Sequence, residues 1–155
     1  MPSPADAAVR AFLRGSMVAQ VATRSTRGRP FMTPLWFVVD RGALYITTGP
    51  DSRAGKNVAR HPQVALLFTG ERLGRADRVL RASGTATCHR GLPSWRVLLR
   101  IAAKYYVSPS ALRVELPNAR RWRLRQLYYG QLKGGYGHLR VVATGFEWVP
   151  RPSPA

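Results

Sequence analysis

The sequence predicts a mainly β fold with helices (α+β), an antiparallel barrel carrying helical additions. Three observations lead there. Roughly five or six short β-type runs are separated by Gly, Pro and Asp turn signals. A small basic helix is inserted between two of those runs. One longer helix follows the core strands.

Taken in order, residues 5–15 form a short amphipathic helix with Val9, Phe12 and Leu13 on one side and Gly15 as its stop. Residues 17–23 alternate Met17, Ala19 and Val21 with Val18, Gln20 and Ala22, a largely buried strand. Arg24 to Gly28 turns the chain. The next strand, Pro30 to Asp40, contains Pro30 and Pro34, which cannot donate to a ladder and so imply an edge, a bulge or a strand start. Such a strand leaves neighbouring backbone groups for a ligand. Asp40-Arg41-Gly42 makes a hairpin turn into Ala43–Thr48, and Gly49-Pro50-Asp51 ends that run. Asp51 or Ser52 caps a helix reaching about Arg60, where His61-Pro62 stops it. Gln63 to Thr69 is almost wholly apolar, a strand buried on both faces or lying in a barrel core. After a charged loop, residues 79–88 form a strand with Gly84 at a bulge.

The clearest helix spans Gly91–Tyr106. It gathers Trp95, Leu98, Leu99, Ala102 and Tyr106 on one face and stacks Arg96, Arg100 and Lys104 on another, which reads as a solvated face. A short helical turn is expected over 108–116. Asn118 to Tyr129 fits a helix or a strand equally, and Gly130 to Gly137 is a glycine-rich loop. The last strand runs from His138 to Val149 with a break near Gly145. Residues 1–150 read as one domain, followed by a Pro-rich tail, 151–155.

At 155 residues the chain can bury a substantial core, and 45% apolar residues exclude a disordered class. No run approaches the roughly 18 apolar residues of a membrane span. The N-terminus does not read as a signal peptide, and the expectation is a soluble, cytoplasmic protein. The single cysteine, Cys88, excludes an intramolecular disulfide or a cysteine zinc cluster, and no metal site is expected. The formal charge is +18, with 25 Lys+Arg against 7 Asp+Glu. Between Arg78 and Phe146 the only acid is Glu115. This field suits a polyanionic partner, although an arginine-rich composition produces the same excess.

The run RP-x3-P-LWF-x2-D, followed by LYITTG-x2-SR-x2-KN-x4-P-x-VALLF, resembles the pyridoxamine 5'-phosphate oxidase-like split-barrel superfamily. More narrowly, it is similar to the small bacterial members that bind FMN or the deazaflavin F420. The likeness is detailed over residues 18–68 and looser through 78–84 and the last strand. It implies a homodimer of split β-barrels with cofactor at the subunit interface. By position it places Ser52, Arg53 and Lys56 on the cofactor phosphate, with Asn57 bracing that loop or helix. Thr47 and Thr48 fall along the ribityl-phosphate end, and Thr33, Leu35 and Trp36 against the ring. A phosphate dianion is met by an arginine fork, a lysine, a hydroxyl and helix N-terminal amides, and this stretch offers all four.

Two positions depart from the pattern: Ala54 stands where many members have Lys, and Val79 where true pyridoxamine phosphate oxidases place Gln, which argues against vitamin B6 oxidation. The resemblance implies hydride transfer between the reduced cofactor and an electron-poor small molecule, with F420 favoured by the basic stripe at Arg96, Arg100 and Lys104 and the cluster Arg120, Arg121, Arg123 and Arg125. No acid/base pair stands out, and His89, His138 and Tyr136 are the candidates for proton handling. Tyr105, Tyr106, Tyr128 and Tyr129 are candidates for the ring's open side. A non-catalytic flavin- or haem-binding barrel is the main alternative, with His61, His89 or His138 as axial ligand. A nucleic-acid-binding protein, suggested by Trp122, Tyr128 and Tyr129 among arginines, is less favoured because no nucleic-acid motif is present.

Overall fold

Period-two alternation of apolar side chains selects one face of each strand, and burying those faces together requires the sheet to close. The computed structural model describes residues 6–73, 77–106 and 136–151. Its strands are β1 (Val18–Arg24), β2 (Pro30–Asp40), β3 (Ala43–Thr47), β4 (Gln63–Phe68), β5 (Arg78–Arg90) and β6 (Gly137–Pro150). Its helices are α1 (Ala7–Gly15), α2 (Arg53–Arg60) and α3 (Trp95–Tyr105). The strands pair antiparallel and close into a barrel in the order β1-β2-β3-β6-β5-β4. The mainly β, antiparallel barrel with helical additions is therefore what the chain adopts.

Phe37, Ile46, Phe68, Leu80 and Leu139 meet inside the barrel, fully buried. α1 adds Val9, Phe12 and Leu13 to this core, and Phe12 meets Trp148 edge-on with ring centroids 5.0 Å apart. Truncating an interior phenylalanine such as Phe37 to alanine costs about 3–5 kcal/mol. β4 resolves the ambiguity of its apolar run. Val64, Leu66 and Phe68 face the interior, while Ala65 and Leu67 are only half-buried on the outside.

The hairpin turn carries positive φ at both central residues, 48° at Arg41 and 77° at Gly42, the pattern of a type I′ turn. Gly84 marks the predicted bulge. Ser83 pairs with Gly145 and Gly84 with Ala143, so Thr144 is the extra residue, and its Oγ1 donates to Ser83 O at 3.1 Å. A Cβ on Gly84 would stand 2.5 Å from Val142 O, so only glycine fits this crossing. β6 consequently runs unbroken to Pro150, and the break expected near Gly145 is a bulge instead.

α3 corrects the sequence reading more substantially. It begins at Trp95 rather than Gly91, and its packed face is Val97, Ile101 and Tyr105 against Val38, Trp36 and Tyr45. Trp95 and Leu99 from the expected apolar face are 68% and 59% exposed. Lys104, read as part of a solvated stripe, is drawn inward. The expected helical turn at 108–116 and the ambiguous 118–129 stretch, with Arg120 to Arg125, Trp122, Tyr128 and Tyr129, lie outside the described residues.

Candidate functional site

The proline-interrupted strand positions the site. From Pro30 to Trp36, β2 pairs with β1 alone, because β3 joins it only from Phe37 onward. Among the described residues no strand pairs with the other edge, and an open edge is where a strand tolerates Pro34. Beside that edge lies a cleft of about 570 Å³. One wall is Pro34, Leu35 and Trp36, and the facing wall comes from Leu92, Leu98 and Ile101. Thr47, Thr48 and Ser52 line one part of it, and Tyr106, Tyr136 and His138 another.

The Thr47–Ser52 stretch is rich in hydroxyls because the sequence passes there from β3 to a helix cap. Thr47 Oγ1 donates to Trp36 O at 3.4 Å, and Thr48 Oγ1 to Ser52 Oγ at 2.8 Å. Ser52, rather than Asp51, is the N-cap, and its Oγ accepts from Gly55 N at 3.0 Å. That turn is tight: a Cβ on Gly55 would stand 2.5 Å from Gly49 O. The amides of Arg53 and Ala54 remain at the positive end of α2, where an anion is stabilised.

Arg53 lies on the outer side, its guanidinium 4.6 Å from the Phe31 ring centroid, and both it and Lys56 are exposed. Ala54 is buried, so the side chain that departs from the family pattern packs inward. Asn57 is also buried, and its Nδ2 donates to Thr23 Oγ1 at 2.9 Å, tying α2 to β1.

The apolar wall is stiffened by aromatic packing. Trp36 stacks on Tyr105 with centroids 4.6 Å apart and planes 9° from parallel, and meets Tyr106 edge-on at 6.2 Å. β1 begins at Val18, opposite Trp36, so Phe37 has lost its β1 partner. The Tyr105 hydroxyl replaces that partner. It accepts from Phe37 N at 2.9 Å and shares its own proton between Met17 O (2.7 Å) and Phe37 O (2.9 Å). Burial pushes its pKa up to about 12, which keeps it a donor. Lys104 Nζ donates to Phe37 O (3.2 Å) and Leu13 O (3.3 Å) and stands 3.6 Å over the Phe37 ring. Burial, helped by the Arg72 charge, lowers its pKa to about 7.

His138 opposes Thr47 across the β3–β6 ladder. Its Nδ1–H donates to Gly91 O at 3.2 Å, which directs the lone pair of the neutral ring to Nε2. Burial lowers its pKa, the Gly91 bond opposes that shift, and His89, stacked at 5.1 Å, adds to it. Of the residues expected in the site, Leu35, Trp36, Thr47, Thr48 and Ser52 are brought together in one cleft. Thr33, Arg53, Lys56 and Asn57 do not line it. Sequence reasoning missed Leu92, Leu98 and Ile101 as the opposite wall. The signal was available in the Val97-Ile101-Tyr105 spacing, which marks the side of α3 that lies against β2.

A closed antiparallel barrel with a hydroxyl-lined cleft beside an open strand edge defines the split-barrel class. The chain belongs to the pyridoxamine 5'-phosphate oxidase family, whose sequence pattern it matches over residues 5–127. Its fold is shared by an F420 reductase (18% identity, 89% of this chain and 94% of that one, TM-score 0.62). A conserved hypothetical protein of Mycobacterium tuberculosis is similar at 21% identity over 100% and 98% of the two chains, TM-score 0.62. HutZ, the heme storage protein from Vibrio cholerae, is similar at 15% identity over 90% and 91%, TM-score 0.59. At these identities the likeness is one of fold. No curated protein matches the sequence.

Proposed function

We propose that the chain is an oxidoreductase that holds F420 or FMN in this cleft and transfers a hydride between the reduced cofactor and an electron-poor small molecule. The observation that carries this reading is the pairing of two features in one cleft. Hydroxyls gather at Thr47, Thr48 and Ser52, the N-cap of α2, and the open β2 edge with Trp36 offers a flat apolar wall. The first suits a phosphate and the second a tricyclic ring. Ser52 Oγ already accepts from Thr48 and Gly55, so its own O–H remains to donate to a phosphate oxygen. Arg53 and Lys56 supply charge from outside the wall. When bound, the cofactor supplies the redox chemistry, while the chain orients it and excludes water. The similarity to an F420 reductase and the +18 charge favour the deazaflavin.

Leu92, in the cleft wall, and Trp95 and Leu99 of α3 are more than half exposed, and we assign these apolar side chains to contact with a second copy of the chain. Light scattering should give twice the chain mass, and Trp95→Glu should shift it toward the monomer.

A titration followed by absorbance tests the cofactor assignment. F420 or FMN should bind stoichiometrically at micromolar concentration, and the double substitution Arg53→Ala/Lys56→Ala should weaken binding severalfold at low salt and less at high salt, the loss of two screened charges. Unchanged affinity in the double variant removes those two residues from the phosphate site. No binding of either cofactor overturns the proposal. Haem binding is the second reading, favoured by the Nε2 lone pair of His138 in the cleft wall. A Soret band lost in His138→Ala would select it.

A further inference from the structure

We propose a second ligand site, separate from the cleft, that takes a small amphipathic organic anion bearing at least two phosphate, sulfonate or carboxylate groups. It is a cavity of about 710 Å³ on the opposite side of the C-terminal half of α3, and it shares no lining residue with the cleft. Its size is that of a typical small-molecule pocket.

Cations converge on this concavity from separate parts of the chain. Arg10 and Arg14 come from α1, Arg41 from the β2–β3 turn, Arg72 from the turn after β4, and Arg100 and Lys104 from α3. No acid lines it. Ion pairs between described residues include Arg81–Glu147, Arg90–Asp51 and Arg100–Asp40. The last touches the cavity: Arg100 Nε stands 2.8 Å from Oδ1 of buried Asp40, close enough for an ion pair although its N–H is turned off that oxygen. Six cationic side chains thus line a cavity that no acid lines, with Asp40 and Glu71 acting on Arg100 and Lys104 from outside the lining.

An arginine-rich composition accounts for basic side chains on a convex, solvated surface, where water separates them. It does not account for a concave arrangement that draws an ammonium into its wall. Lys104 directs two of its three N–H donors at Leu13 O and Phe37 O, and the third has no acceptor among the described residues. Burial and the Arg72 charge lower its proton affinity, a cost that an anion in the cavity would relieve.

The remaining lining decides the chemistry of the ligand. Leu13, Val38 and Val39 give the cavity an apolar floor beneath the charged rim. Phosphate or pyrophosphate alone leaves that floor wet. A ligand with a flat or aliphatic body covers it while its anionic groups reach the guanidinium forks.

Naphthalene-1,5-disulfonate is a suitable probe, titrated calorimetrically at low salt alongside sodium pyrophosphate. The disulfonate should bind at micromolar concentration, more tightly than pyrophosphate. Arg14→Gln and Arg41→Asn should each weaken it about tenfold, the loss of a charge-assisted contact. Tyr136→Ala, in the wall of the cleft, and saturating FMN should leave it unchanged. Asparagine tolerates positive φ, so the Arg41 variant should fold at least as well as the parent, and Arg10→Gln replaces Arg14→Gln if that variant proves unstable. Equal affinity in the rim variants overturns the site. Weakening by Tyr136→Ala or displacement by FMN does too, since it moves the ligand to the cleft. Pyrophosphate binding as tight as the disulfonate's overturns the amphipathic assignment.

Discussion

Lys104 gives the most quantitative handle on this fold. Its ammonium is held between Leu13 O and Phe37 O, over the Phe37 ring, and its pKa falls from 10.5 to about 7. Between those two values the unfolded chain binds a proton that the folded chain has released, so stability rises with pH across this window. Below about pH 7 both states are charged and the cost is constant. Above 10.5 both are neutral and it vanishes. The full shift would correspond to ~5 kcal/mol, and partial access of water reduces the expected difference to about 2 kcal/mol. Lys104→Met keeps the stem packed and removes the titration. Urea unfolding followed by tryptophan fluorescence, at intervals from pH 6.5 to 10, should show parent stability climbing while the variant stays flatter. The difference between them should narrow by about 2 kcal/mol toward high pH. Parallel profiles would refute the reasoning, because they would mean that Lys104 is as well solvated folded as unfolded.

Three other substitutions probe separate parts of the structure. Tyr105→Phe keeps the stack on Trp36 but leaves Phe37 N without its acceptor, and should lower urea stability by about 2 kcal/mol; an unshifted midpoint would mean that the hydroxyl is not a ladder partner. Gly84→Ala drives a Cβ against the Val142 carbonyl and the Ala143 backbone, neither a flexible side-chain end. It should cost about 2 kcal/mol, read as a melting temperature lower by about 5 °C. Ser52→Ala should cost about 1 kcal/mol through loss of the cap and should also weaken FMN or F420, measured by absorbance titration; stability loss with intact cofactor affinity would limit Ser52 to capping.

What could be read from the sequence follows the range of the interactions involved. The barrel strands, the Asp40–Ala43 turn, the Gly84 bulge and the Ser52 region announce themselves through alternation, turn chemistry and capping, all within a few residues. Pro34 was informative because a missing donor excludes the interior of a sheet. The cleft's far wall depends on which side of α3 faces the barrel, and α3 carries two apolar stripes. Trp95 and Leu99 make one, and Val97, Ile101 and Tyr105 the other. Helical periodicity counts apolar side chains and so cannot see that β2 beyond Trp36 has lost its β1 partner and needs a hydroxyl on that edge. Asn57 illustrates the same limit at the site, because its partner Thr23 lies 34 residues away. Arg53 and Lys56 were placed by the family resemblance, which carries over a position on the helix but not the side chain's direction.

β2, paired on one edge with β1 up to Trp36 and on the other with β3 from Phe37, connects the two cavities. Successive residues of this strand serve three purposes: Leu35 and Trp36 wall the cleft, Phe37 is tied to Tyr105 and Lys104, and Val38 and Val39 floor the cationic cavity. α3 mirrors this division, with Leu98 and Ile101 on the cleft and Arg100 and Lys104 on the other cavity. A strand that kept its β1 partner past Trp36 would need neither the tyrosine nor the lysine, and α3 would have no polar reason to bury that face. The shortened pairing therefore explains at once why a lysine enters the wall, why the Trp95–Leu99 stripe of α3 is left outside, and why a cationic cavity sits directly behind the cleft.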